Sequence, residues 1–129
     1  MNCIFCDFAN NEKECFKVWE DEHFLAFLDI HPINHGHTLL IPKEHIADVF
    51  NLEEDLYTKL FSSAQMLAQK MKKVFNAPRI GLAIEGFGVD HVHIHLVPVY
   101  SGNELNPERA IAASPDELRL IQQKIVSAL

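Results

Sequence analysis

Histidines alternate with apolar residues in residues 90–98, which read Asp-His-Val-His-Ile-His-Leu-Val-Pro. Successive side chains of a β-strand point to opposite faces, so this alternation predicts a strand from His91 to about Val99. One face of this short strand would then be polar and carry the functional side chains, and the opposite face would pack in the core. The polar face would hold His91, His93 and His95, and the packed face would hold Val92, Ile94 and Leu96.

Four further strands and a long helix are predicted from the other apolar patterns. Short apolar runs bounded by turn residues indicate strands, and these runs lie at residues 16–20, 24–28, 38–41 and 80–85. Apolar residues at spacings of three and four indicate a long helix that ends near Phe75. Asn51 is predicted to be its N-cap, with Glu54 as the capping-box partner.

A second helix is predicted over residues 114–129. Ser114 can cap it, Pro115 suits its first position and Glu117 completes a capping box. The order of three strands, helix, two strands and helix, with mostly short links between strands, predicts an α+β fold. We expect a mainly antiparallel five-stranded sheet, one long helix and a C-terminal helix, in a single domain over residues 1–129.

Composition narrows the classes of partner. Eleven Lys and Arg face 18 Asp and Glu, giving a formal net charge of -7, which argues against binding extended DNA or RNA. A small nucleotide held by a few local donors is compatible with this charge. No apolar run approaches the roughly 20 residues that span a bilayer, so no membrane association is expected. No signal-peptide pattern is visible at the N-terminus, and a cytoplasmic location is therefore expected.

Cys3 and Cys6 form a Cys-x-x-Cys pair at the start of the chain. Three cysteines are an odd number, which does not suit a disulfide framework. The pair is typical of either half a zinc site or a redox centre. Redox pairs follow a strand and open a helix, whereas this one begins the chain, so a metal site is favoured. Cys15 is predicted to have only a structural role.

Three alternating histidines are improbable by chance in a chain of this composition, so we do not interpret them as inert. Two chemical interpretations of the triplet remain open. One is a catalytic zinc ion held by several imidazoles, although the outer two residues would be roughly 13 Å apart along the strand. The other is nucleophilic attack at phosphorus. Neutral imidazole has a reference pKa near 6.5 and is mostly unprotonated at pH 7, so it can attack directly.

Two segments together resemble the histidine triad (HIT) family. Residues 91–97 have its pattern of His-x-His-x-His followed by two apolar residues. The strand predicted at 24–28 leads through Asp29 and Ile30 to Gly-His-Thr-Leu-Leu-Ile-Pro-Lys-Glu-His at residues 36–45, which resembles the other half of the HIT domain. The resemblance covers roughly residues 3–100 and implies the HIT-like fold.

The resemblance implies a role for each matching active-site residue. His93 would attack the α-phosphorus and form a nucleotidyl-histidine intermediate, which water then hydrolyses. His95 would contact the phosphate or leaving-group oxygen, and His37 would be the fourth active-site histidine. Asp29 would bind the ribose hydroxyls. The apolar slot for the base would be formed by Phe5, Ile4, Phe27 and Leu39, with Ile30 beside Asp29. Plain core packing is an equally good interpretation of those apolar residues.

The resemblance also implies a structural zinc ion and a homodimer. The zinc ligands would be Cys3, Cys6, His45 and His91. Two thiolates and two imidazoles make a closed tetrahedral set, which suits zinc and leaves no open position for chemistry. The alternative is a free Cys-x-x-Cys with His45 at the surface. Phe61 and Phe75 of the long helix are apolar residues beyond those of its core-facing stripe, so they are candidates for the dimer interface.

Residues 84–90 depart from the family pattern. HIT hydrolases commonly carry an Asn and a Gly-Gln-Ser loop before the triplet, whereas this chain has the shorter Ile-Glu-Gly-Phe-Gly-Val-Asp. Phosphate contacts would then come from backbone amides of the turn from Gly86 to Gly88, or be missing. Asp90 would place a negative charge near an anionic substrate unless its side chain points away.

The expected function is hydrolysis of AMP-linked phosphoramidates or dinucleoside polyphosphates. A nucleotidyl-transferase is a second candidate, but related transferases usually replace the last triad histidine with Gln, and His95 is present. A non-catalytic purine-nucleotide-binding protein is the third. The expected partner in each case is a purine nucleotide or nucleotide conjugate.

Overall fold

A five-stranded antiparallel sheet forms the centre of the computed structural model, which describes residues 2–129. The spatial order of the strands is β1-β2-β3-β5-β4, and every neighbouring pair is antiparallel. The strands are β1 (Lys17–Glu20), β2 (Phe24–Leu28), β3 (Thr38–Pro42), β4 (Arg79–Ala83) and β5 (Ile94–Val99). The helices are α1 (Ile4–Ala9), α2 (Glu54–Val74) and α3 (Pro115–Val126), with 3₁₀ turns at Val49–Asn51 and Pro107–Arg109.

Helices cover both faces of the sheet. Every residue of β2 and β3 is buried, which explains why their sequences are continuous apolar runs rather than alternating ones. One face packs on α2 and α3 through residues such as Leu40, Leu60 and Ile125. The opposite face packs on α1, where Phe5 joins a smaller cluster with Phe27, Leu39 and Ile41. The sequence patterns did not predict α1.

The long helix begins later than predicted. Asn51 does not cap it but ends a 3₁₀ turn, whose own cap is Asp48 accepting the Phe50 N–H at 2.9 Å. Leu52 is buried with an extended backbone, so the chain cannot become helical there. The helix therefore starts at Glu54, without a side-chain cap, and two acids in its first turn face the positive end of the helix dipole.

The histidine strand is also shorter than predicted. It begins at Ile94, because Leu40 is the last residue of β3 that pairs with it. Before Ile94 the Val92 N–H donates to the Ile46 carbonyl instead, at 2.8 Å. His91 and His93 thus lie just ahead of β5 rather than inside it. In contrast, the predicted cap of α3 is present, with Ser114 Oγ accepting the Glu117 N–H at 3.2 Å.

Residues 100–113, here called the C-terminal strap, run from β5 to α3 and contact the loop 29–37. The backbone N–H groups of Ile111 and Ala113 donate to the carbonyls of Pro32 and Ile30, at 3.3 and 3.0 Å. The Arg109 guanidinium donates to Asn34 Oδ1 at 3.1 Å. The strap thereby fixes the segment between β2 and β3. Among residues 2–129, no helix has the length and apolar character needed to cross a bilayer.

Candidate active site and metal centre

His93 borders a cavity of about 490 Å³ between α1, the end of β2 and the segment before β5. Its ring is 5% exposed, and its Nδ1 lies 2.7 Å from the His91 carbonyl oxygen. A carbonyl oxygen can only accept a hydrogen bond, so Nδ1 must carry the proton and donate it. In the neutral ring this leaves the lone pair on Nε2, which is the nitrogen available for attack.

His37 and His95 form a directional hydrogen-bond chain beside His93. The Ile33 N–H donates to His37 Nδ1 at 3.0 Å, so neutral His37 carries its proton on Nε2. That nitrogen lies 2.9 Å from His95 Nδ1, which must therefore accept. His95 then carries its own proton on Nε2 and borders the same cavity. This arrangement gives His95 an N–H group that can donate a hydrogen bond to a bound molecule.

Burial keeps both rings of this chain neutral. Desolvation lowers the pKa of His37 to about 4, and the nearby Asp29 carboxylate offsets only part of this effect. Desolvation also lowers the pKa of His95, and the neighbouring His93 lowers it further. Both imidazoles are thus uncharged near pH 7, as the donor and acceptor assignments require.

Asp29 lies where β2 ends and borders the cavity. Its Oδ1 accepts the His31 N–H at 2.9 Å, and its Oδ2 lies 3.6 Å from His37 Nε2. Its backbone N–H donates to the His37 carbonyl at 2.9 Å. The carboxylate is therefore held in place while keeping acceptor capacity for a ligand.

The inner wall of the cavity is aromatic. The centroid of the Phe5 ring lies 5.3 Å from that of the Phe27 ring and 5.2 Å from that of the His93 ring, and both pairs have edge-to-face geometry. Of the predicted nucleotide-binding residues, the structure brings six to this cavity: Asp29, Ile30, Phe5, Phe27, Leu39 and Gly88. Ile4, predicted for the base slot, borders it as well.

The structure places Gly86 elsewhere. Gly86 borders a separate cleft with Ala47 and Asp48, so only the Gly88 end of the turn reaches the candidate active site. Asp90 lies outside the active-site cavity and borders the cleft beside Cys3 and His45. Its negative charge therefore lies outside the cavity that His93 borders.

Sequence reasoning missed several residues of the cavity wall. Phe8 follows Phe5 by one helical turn, a spacing that would have pointed to it had α1 been predicted. Cys15 borders the cavity, and burial raises the pKa of its thiol to about 11, which keeps it protonated. Phe87 and Val89 come from the segment before β5, where no sequence pattern indicated a wall.

The four predicted zinc ligands lie together at the N-terminal end of α1. One ligand atom from each of Cys3, Cys6, His45 and His91 lies within 4.8 Å of the others. Individual separations are 3.2 Å for Cys6 Sγ to His45 Nδ1 and 3.4 Å for Cys3 Sγ to His91 Nδ1. A tetrahedral zinc ion, with bonds of about 2.3 Å to sulfur and about 2.0–2.1 Å to nitrogen, separates such atoms by about 3.6 Å. The donor set and its spacing therefore fit zinc.

Hydrogen bonding also prepares His91 as a metal ligand. Its Nε2 lies 2.7 Å from the Pro42 carbonyl oxygen and must donate to it, so the lone pair is on Nδ1, the nitrogen nearest the thiols. Burial lowers the pKa of His91, which keeps the ring neutral. Burial and the adjacent Cys3 raise the pKa of Cys6 to about 11, so a cation is needed to hold the thiolate form at neutral pH.

Comparisons with known proteins identify the family. The HIT domain family matches residues 10–102. A HIT-like protein of Methanocaldococcus jannaschii is 37% identical over 78% of this chain and 81% of its own length. Adenosine 5'-monophosphoramidase HNT1 of Saccharomyces cerevisiae is 39% identical over 74% of this chain and 61% of its own length. The chain therefore belongs to the histidine triad family.

Solved structures agree with this assignment. A Hit-like protein from Bartonella henselae superposes with a TM-score of 0.88 at 31% identity, covering 99% of this chain and 96% of that one. A zinc-bound histidine triad protein from Mycobacterium smegmatis has a TM-score of 0.84 at 29% identity, covering 99% and 93%. The predicted α+β HIT-like fold is confirmed.

Proposed function

We propose that this protein is a nucleotide hydrolase that cleaves AMP-linked phosphoramidates or dinucleoside polyphosphates through a nucleotidyl-histidine on His93. The observation that carries the proposal is the pair of proton positions at the cavity wall. His93 has its lone pair on Nε2, and neighbouring His95 has its proton on Nε2. A nucleophile and a hydrogen-bond donor to the phosphate or the leaving group, beside one cavity, are what this reaction requires. The relative HNT1, an adenosine 5'-monophosphoramidase, supports the same class of substrate.

The reaction has two steps. In the first, His93 Nε2 bonds to the α-phosphorus while the bond from phosphorus to the leaving group breaks; the His95 Nε2–H donates a hydrogen bond to the departing atom, which takes up a proton from water. In the second, water attacks the phosphorus and loses a proton to solvent, and the bond to His93 breaks to release AMP. His37 acts through His95, because its Nε2–H keeps the His95 proton on the nitrogen that borders the cavity.

The remaining cavity residues bind the nucleotide in this proposal. Asp29 accepts hydrogen bonds from the ribose hydroxyls, since a carboxylate offers two acceptor oxygens to a diol. Phe5, Phe27 and Leu39 form the slot for the purine, with Ile30 beside the ribose. Backbone amides at Gly88 contact the phosphate, a role in which Gly86 takes no part because it borders a different cleft.

Trapping of the intermediate tests the function. The protein is mixed with adenosine 5'-phosphoramidate, quenched in base within the first turnover and digested for mass spectrometry. We expect one AMP unit on the peptide containing His93, together with AMP release. Binding of the compound without any release of AMP would favour the non-catalytic alternative. Transfer to an added sugar phosphate in preference to water would favour the nucleotidyl-transferase.

A zinc ion is proposed at Cys3, Cys6, His45 and His91, with a structural role. Four protein ligands leave no open position for water or substrate, so the ion would supply only rigidity. It would tie α1, the segment after β3 and the segment before β5 to one point. Because the His91 carbonyl fixes the His93 proton, holding His91 also positions the nucleophile.

A homodimer is proposed through the face formed by α2 and β4. β4 is an outer strand of the sheet, and an apolar groove between it and α2 is lined by Tyr57, Phe61, Ala64, Ala68, Ile80 and Leu82. Leu82 is 45% exposed in the single chain. Pairing of two copies about a two-fold axis would cover both grooves. Of the two phenylalanines predicted for the interface, Phe61 lines this groove, whereas Phe75 contacts the core and lies against Gly36.

Replacing Leu82 with glutamate is expected to give a monomer, because two buried carboxylates would face the interface without partners. Sedimentation equilibrium at micromolar concentration measures the mass. Leu120→Glu is the matched control, since Leu120 is 69% exposed on α3, away from the groove. A monomeric wild-type protein, or a Leu82→Glu protein that remains dimeric, would contradict the proposed interface.

A cytoplasmic location is proposed on the basis of the cysteines. Cys3, Cys6 and Cys15 are all free thiols in the structure. Free thiols persist in reducing compartments, where nucleotide substrates are also available.

A further inference from the structure

Phe87 is a large apolar side chain placed in water at the edge of the candidate active site. It is 81% exposed and borders the same cavity as His93 and His95. Gly86 and Gly88 on either side have φ values of +82° and +83°, which residues other than glycine rarely adopt, so the two glycines shape the turn that carries Phe87. Within residues 2–129, Phe87 pairs with no other aromatic ring, unlike Phe5, Phe8 and Phe27 of the base slot. Its ring is therefore available to a ligand.

The segment that carries Phe87 leaves the sheet next to His95. Ala83, the last residue of β4, pairs with His95, and Phe87 follows four residues later. The charge of Glu85 acts on His95, where it raises the pKa against the larger lowering by burial. His95 is the proposed hydrogen-bond donor to the leaving group, so Phe87 belongs to the leaving-group side of the cavity. The base slot lies toward α1, where Phe5 contacts His93.

The charges of the cavity wall indicate which leaving groups are suitable. Among the described residues that line it, Lys13 is the one lysine or arginine, and the carboxylates of Glu14 and Asp29 oppose it. A polyphosphate leaving group brings several negative charges that one lysine cannot balance. An uncharged or apolar leaving group avoids this cost and can cover the exposed Phe87 ring.

We propose that Phe87 contacts the leaving group and makes the enzyme prefer AMP phosphoramidates of aromatic amines over those of small alkyl amines and over polyphosphates. The inference rests on the proposed hydrolase function and specifies its substrate. Aromatic contacts of this kind are geometry-dependent and add modest, measurable selectivity to a reaction whose chemistry is performed by His93 and His95.

A comparison of two substrates measures the contribution of the contact between Phe87 and the leaving group. AMP joined to phenethylamine and AMP joined to propylamine have the same phosphorus–nitrogen bond and the same nucleotide, and they differ in the ring. We expect the ratio of kcat/KM for the phenethyl substrate to that for the propyl substrate to fall about 3- to 10-fold in Phe87→Ala. Phe87→Trp should keep a ratio near that of the wild type. Phe50→Ala is the matched control, because Phe50 is 80% exposed on a turn outside this cavity.

An unchanged ratio in Phe87→Ala would overturn the inference, as would an equal loss of kcat/KM for both substrates. Preference of the wild-type protein for diadenosine tetraphosphate over the phenethyl substrate would overturn it as well. Equilibrium binding of the two phosphoramidates to a His93→Ala protein, with and without Phe87→Ala, separates this inference from the proposed reaction. A binding ratio that falls with Phe87→Ala supports the contact even if the wild type hydrolyses neither substrate. Equal or undetectable binding refutes it.

Discussion

Replacing His93 with alanine is expected to lower kcat for hydrolysis of an AMP phosphoramidate by a factor on the order of 10⁴ or more, because the bond-forming lone pair is removed. The fold should persist. Val92 and Ile94 on either side stay buried in the main core, and the His93 ring contributes contacts mainly to Phe5 and His95. Steady-state kinetics with AMP detection measures the loss, and circular dichroism on heating measures Tm.

His23→Ala is the control for this change, since His23 is an exposed histidine in the turn before β2. Its activity should match that of the wild type. A His93→Gly protein offers a second measurement, because free imidazole added to the solution can occupy the space of the missing ring and restore part of the turnover. Full activity in His93→Ala, with unchanged Tm, would refute the role of His93.

Removal of the metal site is expected to have the largest effect on stability. The double variant Cys3→Ser, Cys6→Ser should purify without zinc, and its free energy of unfolding should be lower by about 4 kcal/mol. For a domain of this size that loss corresponds to a fall in Tm of roughly 10–20 °C. The reason is that an ion bound at this site would join segments 88 residues apart in the chain, from Cys3 to His91. Elemental analysis gives the zinc content, and thermal unfolding gives Tm.

Chelation of the wild-type protein keeps this prediction testable if the double variant does not fold. A strong chelator should remove one zinc per chain and lower Tm to a similar extent, and added zinc should reverse both. Cys15→Ser is the control, because Cys15 lies at the other cavity and outside the cluster. Unchanged zinc content in the double variant would refute the assigned ligands.

Much of the fold follows from local sequence patterns. The continuous apolar runs of β2 and β3, the apolar stripe of α2 and the Ser114 cap each depend on residues close in the chain. The element boundaries that differ from the predicted ones depend on contacts between residues far apart in the chain. β5 starts at Ile94 because β3 stops pairing at Leu40, and α1 forms where the N-terminal segment packs on the sheet. Neither contact has a signature in the local sequence.

The sequence likewise predicts one part of the candidate site and not the other. The Cys-x-x-Cys pair and the histidine triplet are recognisable by spacing, and the resemblance to the HIT family implied His45; the structure places Cys3, Cys6, His45 and His91 together and brings His93 and His95 to one cavity. The proton positions were not readable from the sequence, because they depend on the carbonyl of His91 and the N–H of Ile33. Phe87 was also missed as a residue of the cavity wall, because no local sequence pattern places the turn that carries it beside the cavity.

The C-terminal strap supports the histidine cluster from outside the cavity. Arg109 donates to Asn34, and the Asn34 carbonyl accepts the backbone N–H of His37, so the strap is two hydrogen bonds from the first ring of the histidine chain. Neither Arg109 nor Asn34 lines the cavity. A mutation at either position would therefore alter the support of the loop that carries Asp29 and His37 without changing any residue of the cavity wall.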